Sequence, residues 1–118
     1  MRTPLHPARE DFSLPNILYA LGDPGRLKIV QQLAEACGDL NCHQVGLQGI
    51  PKSTGSHQLK VLREAGLVHM TPQGRMTLLV LRRDDLEARY PGLLDALLKA
   101  ARSDCEAIAR SEAAVKSA

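Results

Sequence analysis

The segment Lys52–Val68, KSTGSHQLKVLREAGLV, constrains the fold of this 118-residue chain more than any other stretch. Three apolar residues recur there at the spacing of one helical face: Leu59, Leu62 and Ala65. The hydroxyl of Ser53 is an acceptor suited to the unpaired N–H groups of a first helical turn, and Gly66 is a residue type at which helices commonly end. We therefore predict a helix that starts at Ser53 and stops at Gly66.

The outward side of this helix carries short polar groups near its start and positive charges further along: Thr54, Ser56, His57, Lys60 and Arg63. Such a pattern is typical of a helix that enters a DNA major groove, where small polar groups meet base edges and basic groups meet phosphates. An ordinary amphipathic surface helix also exposes charged side chains. The helix alone therefore leaves both interpretations open.

The upstream segment favours the DNA interpretation. Cys42–Leu47 is a short, partly apolar helical candidate, and the Gly and Pro of Gln48–Pro51 favour a turn. A helix, a short turn and a polar-faced helix together form the helix-turn-helix arrangement.

A β-hairpin is predicted immediately after the helix. Leu67–Thr71 and Met76–Leu81 are rich in β-formers and flank Pro72–Arg75, a turn sequence with proline early and glycine late. A hairpin in this position is a wing. Arg75 at its tip is placed to meet a phosphate or a minor groove, although a loop arginine is commonly just solvated.

Three pieces of the chain together resemble the ArsR/SmtB family of winged-helix repressors. They are Asp23–Leu27 (DPGRL) with Ile29 and Leu33, Ser53–Leu59 running into Leu62–Val68, and the wing residues Gly74 and Arg75. Their order and spacing match the family over residues 15–100 or so. Two positions depart from it. Gly55 stands where the family usually has a branched apolar residue, and Gln58 stands where a histidine is common.

The resemblance implies a mostly α fold with a small β-hairpin, a winged helix-turn-helix in which the two strands lie between the fourth and fifth helices. It also implies a homodimer formed through the first and last helices, and a repressor that binds double-stranded DNA at an inverted repeat. The DNA-binding residues expected from it are Lys52, Ser53, Thr54, Ser56, His57, Gln58, Lys60, Arg63, Gln73 and Arg75. The alternative is a dimeric winged-helix interaction module with little DNA affinity, which would have no use for a cationic stripe.

The distribution of charge supports a nucleic-acid partner. The net charge is only +2, but residues 50–83 hold six Lys/Arg and one Asp/Glu, whereas the segments before and after them are net negative. Positive charge is thus concentrated where phosphate neutralisation would need it. The chain has only three aromatic residues, which argues against binding single strands by base stacking.

The chain has room for one domain. Residues 1–13 are polar and predict a flexible N-terminal arm, followed by a winged helix-turn-helix domain over residues 14–118. No signal-peptide pattern and no membrane-length apolar run occur, so we expect a cytoplasmic protein with no membrane partner. Three cysteines in such a chain do not suggest a disulfide framework.

Two helices are predicted before the helix-turn-helix. Leu14–Leu21 forms the first and ends at Gly22. Asp23 caps the second, with Pro24 at its first position, where the missing N–H costs nothing. We assign its apolar face to Leu27, Val30, Leu33, Ala34 and Cys37. Arg26 is expected to lie off that face.

The C-terminal part predicts a dimerisation helix. Asp84 or Asp85 is expected to cap a short helix that ends near Tyr90, and Pro91 to begin a longer one that runs to about Ser111. The apolar stripe of the long helix, assigned by the resemblance to the dimer interface, comprises Leu93, Leu94, Leu97, Leu98, Ala101 and Ile108. The alternative is that this helix packs on its own chain.

Family members release DNA after a metal or thiol event, which makes each cysteine and histidine a candidate. The family's two-cysteine metal motif aligns with Asn41 and His43, so the motif is absent and no metal ligand is assigned. Cys42, Cys105 and Cys37 are candidate redox residues, or else ordinary buried or exposed thiols. The effector is unknown from the sequence.

Enzymatic interpretations find little support. The side chains of neighbouring Cys42 and His43 diverge on a helix, which does not suit a nucleophile and its base. The sequence has no glycine-rich phosphate loop. We therefore predict a binding protein that is not an enzyme and has no cofactor.

Overall fold

The computed structural model describes residues 6–35, 40–41 and 50–103. After a 3-10 turn, Arg9–Asp11, the elements are α1 (Leu14–Leu21), α2 (Pro24–Glu35), β1 (Leu40–Asn41), α3 (Lys52–Ala65), β2 (Val68–Gln73), β3 (Met76–Leu81), α4 (Arg83–Arg89) and α5 (residues 93–103). The expected helix Cys42–Leu47 lies outside the described residues. The mostly helical fold with an antiparallel hairpin is confirmed. No helix within the described ranges is long and apolar enough to cross a membrane.

The first helix has the predicted boundaries, and the second begins where the sequence predicted. Gly22 follows α1, and its N–H donates to the carbonyl oxygen of Tyr19 at 3.2 Å. Asp23 caps α2 as expected, because its Oδ2 accepts the backbone N–H of Arg26 at 3.0 Å. Pro24 occupies the first helical position, where no N–H is needed.

The buried face of α2 differs from the predicted one. Its buried side chains are Arg26, Ile29, Val30 and Leu33, whereas Leu27 and Ala34 are only partly buried. The prediction that Arg26 lies off the apolar face was wrong. The guanidinium is inside because hydrogen-bond acceptors from α1 and α3 surround it.

The end of α3 was predicted correctly and its start was not. The helix stops at Gly66, which has a φ of 91° in the left-handed region that glycine tolerates. It begins at Lys52, after Pro51, and Ser53 lies inside its first turn. No side chain in the described part of the chain caps this end. Pro51 precedes the helix, and its carbonyl accepts the N–H of Gly55 at 3.0 Å.

The hairpin is part of a three-stranded antiparallel sheet in the order β1-β3-β2. The turn is shorter than predicted, since Pro72 lies within β2 opposite Thr77 and only Gly74 and Arg75 connect the strands. Pro72 is tolerated because β2 is an edge strand, where a missing N–H breaks no ladder. The short strand β1, which pairs with Leu78 and Leu79, was not predicted.

The segment 6–13, which the sequence assigned to a flexible arm, packs against the domain. Phe12 is buried, and the guanidinium of Arg89 donates to the carbonyl oxygens of Arg9, Glu10 and Phe12. His6 stacks on the ring of His69 in β2, and its Nε2 accepts the backbone N–H of Met70 at 2.9 Å. These contacts cover part of the free edge of β2.

The helix α4 has nearly the predicted extent but no aspartate cap. Its N-cap is Arg82, and the carboxylate of Asp85 instead contacts the guanidinium groups of Arg82 and Arg9 at 2.9 and 2.8 Å. Asp85 forms salt bridges and does not cap the helix, because the cations of Arg82 and Arg9 both face its carboxylate. Gly92, with a φ of 79°, separates α4 from α5, so α5 begins at residue 93 and not at Pro91.

One hydrophobic core joins the helices to the sheet. Residues with essentially no exposed surface come from α1, α2, α3, the link that follows α3 and the sheet: Ile17, Val30, Leu62, Leu67, Val68 and Leu79. Leu94 of α5 and Leu86 of α4 belong to the same cluster. Because one side of α3 packs into this core, the opposite side of α3 faces the solvent. The tip of the hairpin is also exposed.

Candidate nucleic-acid interface

The outer face of α3 is an exposed polar surface. Leu59, Leu62 and Ala65 pack into the core, which turns the opposite side of the helix outward. That side carries six exposed polar or basic side chains: Lys52, Ser53, Thr54, Ser56, His57 and Lys60. Hydroxyl and imidazole groups of this kind donate and accept hydrogen bonds at distances that suit base edges.

Basic side chains follow in the second half of the helix. The side chain of Lys60 is 62% exposed, whereas that of Arg63 is 17% exposed. Both cations lie 3.9 Å from the carboxylate of Glu64. Exposed pairs of this length contribute little to stability, so Lys60 is available for another anion. Arg63 is mostly covered and is a weaker candidate for a phosphate contact than the sequence suggested.

The wing adds a second exposed basic site. Arg75 lies in the two-residue turn between β2 and β3, beside Gly74, which has a φ of 63°. Gln73 at the end of β2 is also exposed. Only Gly66 and Leu67 separate α3 from β2, and these two elements pack against each other.

Not all of the positive charge in residues 50–83 is available to a ligand. The guanidinium of Arg82 donates to Asp85 and to the carbonyl of Pro7, and it lies 4.8 Å from the centroid of the Phe12 ring. Arg83 donates to the carbonyl of Ala34 at the end of α2. Within residues 50–83, the cations that remain for a ligand therefore belong mainly to α3 and the wing.

Gln58 differs from the other expected DNA-binding residues. Its side chain is half-buried, and both ends of its amide are engaged by residues of the α1–α2 region. Its Oε1 accepts a hydrogen bond from Nη1 of Arg26 at 2.8 Å, and its Nε2 donates one to Oδ2 of Asp23 at 2.8 Å. Sequence reasoning placed neither Arg26 nor Asp23 in contact with α3.

The contacts of Asp23 perturb its titration. The backbone N–H of Arg26 is the chief cause that lowers the pKa of Asp23 below its ordinary value of 3.8. The amide of Gln58 and the charge of Arg26 lower this pKa further, and burial opposes them. The carboxylate is therefore the charged acceptor that this cluster needs near neutral pH.

The remaining predicted site residues are divided between the core and the undescribed segments. Leu94 and Ala101 are buried within their own chain, and Leu93, Leu97 and Leu98 are partly buried. Ile108 and the candidate redox residues Cys37, Cys42 and Cys105 lie outside the described residues. Across residues 6–35 and 50–103, no cluster of three or more His, Cys, Asp or Glu side chains is arranged to hold a metal.

An exposed polar helix packed across a helical core and followed directly by a two-stranded wing defines the class of winged-helix DNA-binding proteins. Residues 23–70 match the family model described as "Bacterial regulatory protein, arsR family". The chain is also 38% identical over 89 residues to YceK of Bacillus subtilis strain 168, an uncharacterized HTH-type transcriptional regulator. The matched region covers 75% of this chain and 89% of that protein. The chain belongs to the ArsR family of DNA-binding transcriptional regulators.

Solved structures agree with this assignment. The transcriptional repressor BigR from Xylella fastidiosa is 33% identical, with a TM-score of 0.56 over 73% of this chain and 83% of that one. A second structure, of an ArsR family transcriptional regulator, has a TM-score of 0.57 over 79% of this chain and 96% of that one. At 19% identity the second match shows the fold alone.

Proposed function

We propose that this regulator is a homodimeric repressor that binds an inverted-repeat operator through the outer face of α3 and the wing. The observation that carries the proposal is the exposure of four short hydrogen-bonding side chains in the first half of α3: Ser53, Thr54, Ser56 and His57. These residues are assigned to base edges. As a DNA-binding regulator of a bacterial family, the protein is expected to act in the cytoplasm, where its operator would lie.

Phosphate contacts are assigned to the surrounding basic and polar side chains: Lys52, Lys60, Arg63, Gln73 and Arg75. Lys60 and Arg75 are the strongest of these because both are exposed and lie on the two elements that would straddle the backbone. No side chain among the residues that the structure describes caps the start of α3, and the N–H groups of such a helix terminus also favour a phosphate.

The dimer is assigned to α1 and α5. The outer side of α1 leaves Leu14, Leu18 and Tyr19 exposed by 39%, 45% and 70%. Leu93, Leu97 and Leu98 of α5 are only partly buried by their own chain. A two-fold axis here would place the two α3 helices about one DNA turn apart, so half-sites separated by roughly 10 base pairs are expected.

Repression is supported by the similarity to BigR, which is described as a transcriptional repressor. The effector that ends repression is unassigned. A thiol event at Cys42 and Cys105 stays a hypothesis, and a metal is a weaker one. The thiol hypothesis is tested by measuring operator affinity under reductant and after mild oxidation. The proteins compared are the parent, Cys42→Ser and Cys105→Ser. An affinity that oxidation does not change would leave a small molecule as the effector.

The function itself is tested by selecting bound duplexes from a random pool with the purified protein and sequencing them. Affinity for the selected site is then measured against salt for Lys60→Ala and Arg75→Ala. Each variant is expected to lower the slope of log affinity against log salt by about one unit, because one phosphate contact is lost. Lys99→Ala, an exposed lysine on α5, is the charge-matched control and should leave the slope unchanged.

Binding that ignores salt, or that is unchanged when Lys60 and Arg75 are both replaced, would contradict the proposal. A protein that is dimeric but enriches no sequence from the pool would instead be a winged-helix interaction module.

A further inference from the structure

Arg26 is the one charged side chain that is buried among the residues described, with 7% of its surface exposed. A buried cation requires hydrogen-bond partners, because leaving water without them is costly. Nε donates to the carbonyl oxygen of Ala20 at 2.7 Å, and Nη2 donates to that of Tyr19 at 3.3 Å. Both carbonyls belong to the last turn of α1, which is the negative end of the helix dipole. Arg26 thereby holds the end of α1.

The third donor of this guanidinium reaches α3. Nη1 donates to Oε1 of Gln58, and the Nε2 of the same amide donates to Asp23, whose Oδ2 also caps α2. The guanidinium of Arg26 only donates, so the amide oxygen of Gln58 must face it. The carboxylate of Asp23 only accepts, so the amide nitrogen must face Asp23. The amide is therefore held in one orientation. We call these three residues, Asp23, Arg26 and Gln58, the clamp.

Gly25 leaves the space that the clamp needs. A Cβ added at this position would lie 3.1 Å from Oδ2 of Asp23 and 3.2 Å from Nε2 of Gln58. Both distances are shorter than ordinary van der Waals contacts, so a methyl group would push apart the two atoms that form the Asp23–Gln58 hydrogen bond. The backbone of Gly25 lies within helix α2 and does not itself require glycine.

We infer that the clamp is a positioning device that sets the rotation and distance of α3 relative to α1, and through them the operator spacing that a dimer accepts. The inference rests on the proposed function. Gln58 directly follows His57 and Ser56, so fixing its side chain fixes the direction in which these two outward residues point. Because α1 is assigned to the dimer interface, the same three residues link that interface to the helix assigned to the bases. Gln58 is then a positioning residue and does not read a base.

The test uses two variants of the full-length protein. Gln58→Met keeps the length of the side chain and removes both hydrogen bonds. Gly25→Ala changes no residue of the clamp and improves helix propensity, since glycine within a helix is less favourable than alanine. This gain offsets part of the cost of displacing the Asp23–Gln58 hydrogen bond, so the melting temperature of Gly25→Ala is expected to stay close to that of the parent. This variant keeps the test valid if Gln58→Met is unstable.

Affinity is measured for the selected operator and for copies in which the half-site separation is one base pair longer or shorter. The parent is expected to prefer the native spacing. Both variants are expected to bind the native operator about 5- to 150-fold more weakly, the range typical of coupling between two sites. They should also lose most of the preference for spacing and keep the base preference within each half-site. The control Thr54→Ala, at an exposed base-contact position, should change base preference and keep the preference for spacing.

The outcomes separate the two proposals. If the parent selects no duplex, the proposed function fails and the role of the clamp fails with it. If the parent binds and both variants keep its spacing preference, only the clamp is refuted. A change at a single base pair in Gln58→Met, with the spacing preference retained, would make Gln58 a base-reading residue and overturn the inference.

Discussion

Asp23 is the residue whose charge both caps a helix and anchors the clamp. Its Oδ2 accepts the N–H of Arg26 at 3.0 Å and the amide of Gln58 at 2.8 Å. These donors favour the ionised form, so its pKa is lower in the folded protein than its ordinary value of 3.8. A depressed pKa contributes stability that is complete above the unfolded pKa and is lost as the pH falls through the folded pKa.

Replacing Asp23 by asparagine isolates this contribution, because a carboxamide oxygen still caps a helix. At pH 7 Asp23→Asn is expected to melt at a lower temperature than the parent. The difference should shrink as the pH falls below about 4, since the parent then loses the charge that the variant lacks. Thermal unfolding between pH 7 and about pH 2 measures it, with Asp84→Asn as the control for loss of one charge. A difference that stays constant over this range would show that the charge of Asp23 is not the stabilising feature.

At the scale of elements, the junction between α3 and the sheet depends on Gly66. Its φ of 91° lies in the left-handed region, and a Cβ there would be 2.4 Å from Cε1 of Phe12. Phe12 is buried in the core, so its ring cannot swing away without opening a cavity. The sharp end of α3 and the packing of the N-terminal segment thus require the same glycine.

Gly66→Ala is therefore expected to destabilise the protein by about 2–5 kcal/mol, as the sum of left-handed strain and overpacking. Gly74→Ala is the matched control, because Gly74 has a φ of 63° but no atom of the described residues lies within 4 Å of the added Cβ. It should cost only the strain, about 1–2 kcal/mol. Urea unfolding of both variants gives the comparison. Equal losses would mean that the Phe12 ring moves aside easily and that overpacking adds nothing to the cost of Gly66→Ala.

The elements that the sequence predicted well are those with local signals. Helix α1, the end of α3 at Gly66 and the strand Met76–Leu81 follow from apolar periodicity and from a glycine. Strand β1 has only two residues and exists because it pairs with β3, so no local pattern marks it. The expected caps at Ser53 and at Asp84 or Asp85 were wrong. Pro51 occupies the N-cap position of α3, Arg82 that of α4, and two arginines bind the carboxylate of Asp85.

The candidate site was predictable only on its outer side. Exposure of Ser56 and His57 follows from the opposite apolar stripe. The clamp was missed because Arg26 and Gln58 are 32 residues apart and a buried arginine is rare. One signal was present in the sequence. Arg26 shares the spacing of a single helical face with the apolar residues Ile29, Val30 and Leu33, and choosing the face by hydrophobicity alone excluded it.

In the whole molecule, some apolar residues of the expected interface belong instead to the core. A test of the dimer therefore has to substitute an exposed apolar residue. Leu94 is 7% exposed and belongs to the core of its own chain. A glutamate there would unfold the domain whether or not a dimer exists. Leu18, by contrast, is 45% exposed on α1, beside the still more exposed Tyr19. An exposed apolar patch on a small domain commonly marks an interface.

Leu18→Glu is therefore the sharper test of assembly. A glutamate at this exposed position should leave the melting temperature of the isolated chain nearly unchanged, but it would put two like charges close to a two-fold axis. We expect light scattering to show a dimer for the parent and a monomer for the variant. Affinity for the inverted repeat should fall towards that for a single half-site. Lys99→Glu, which adds negative charge on α5, is the control for a nonspecific effect of charge on DNA binding. If Leu18→Glu remains a dimer and binds the inverted repeat like the parent, α1 does not form the interface, and the clamp would then position α3 within one protomer only.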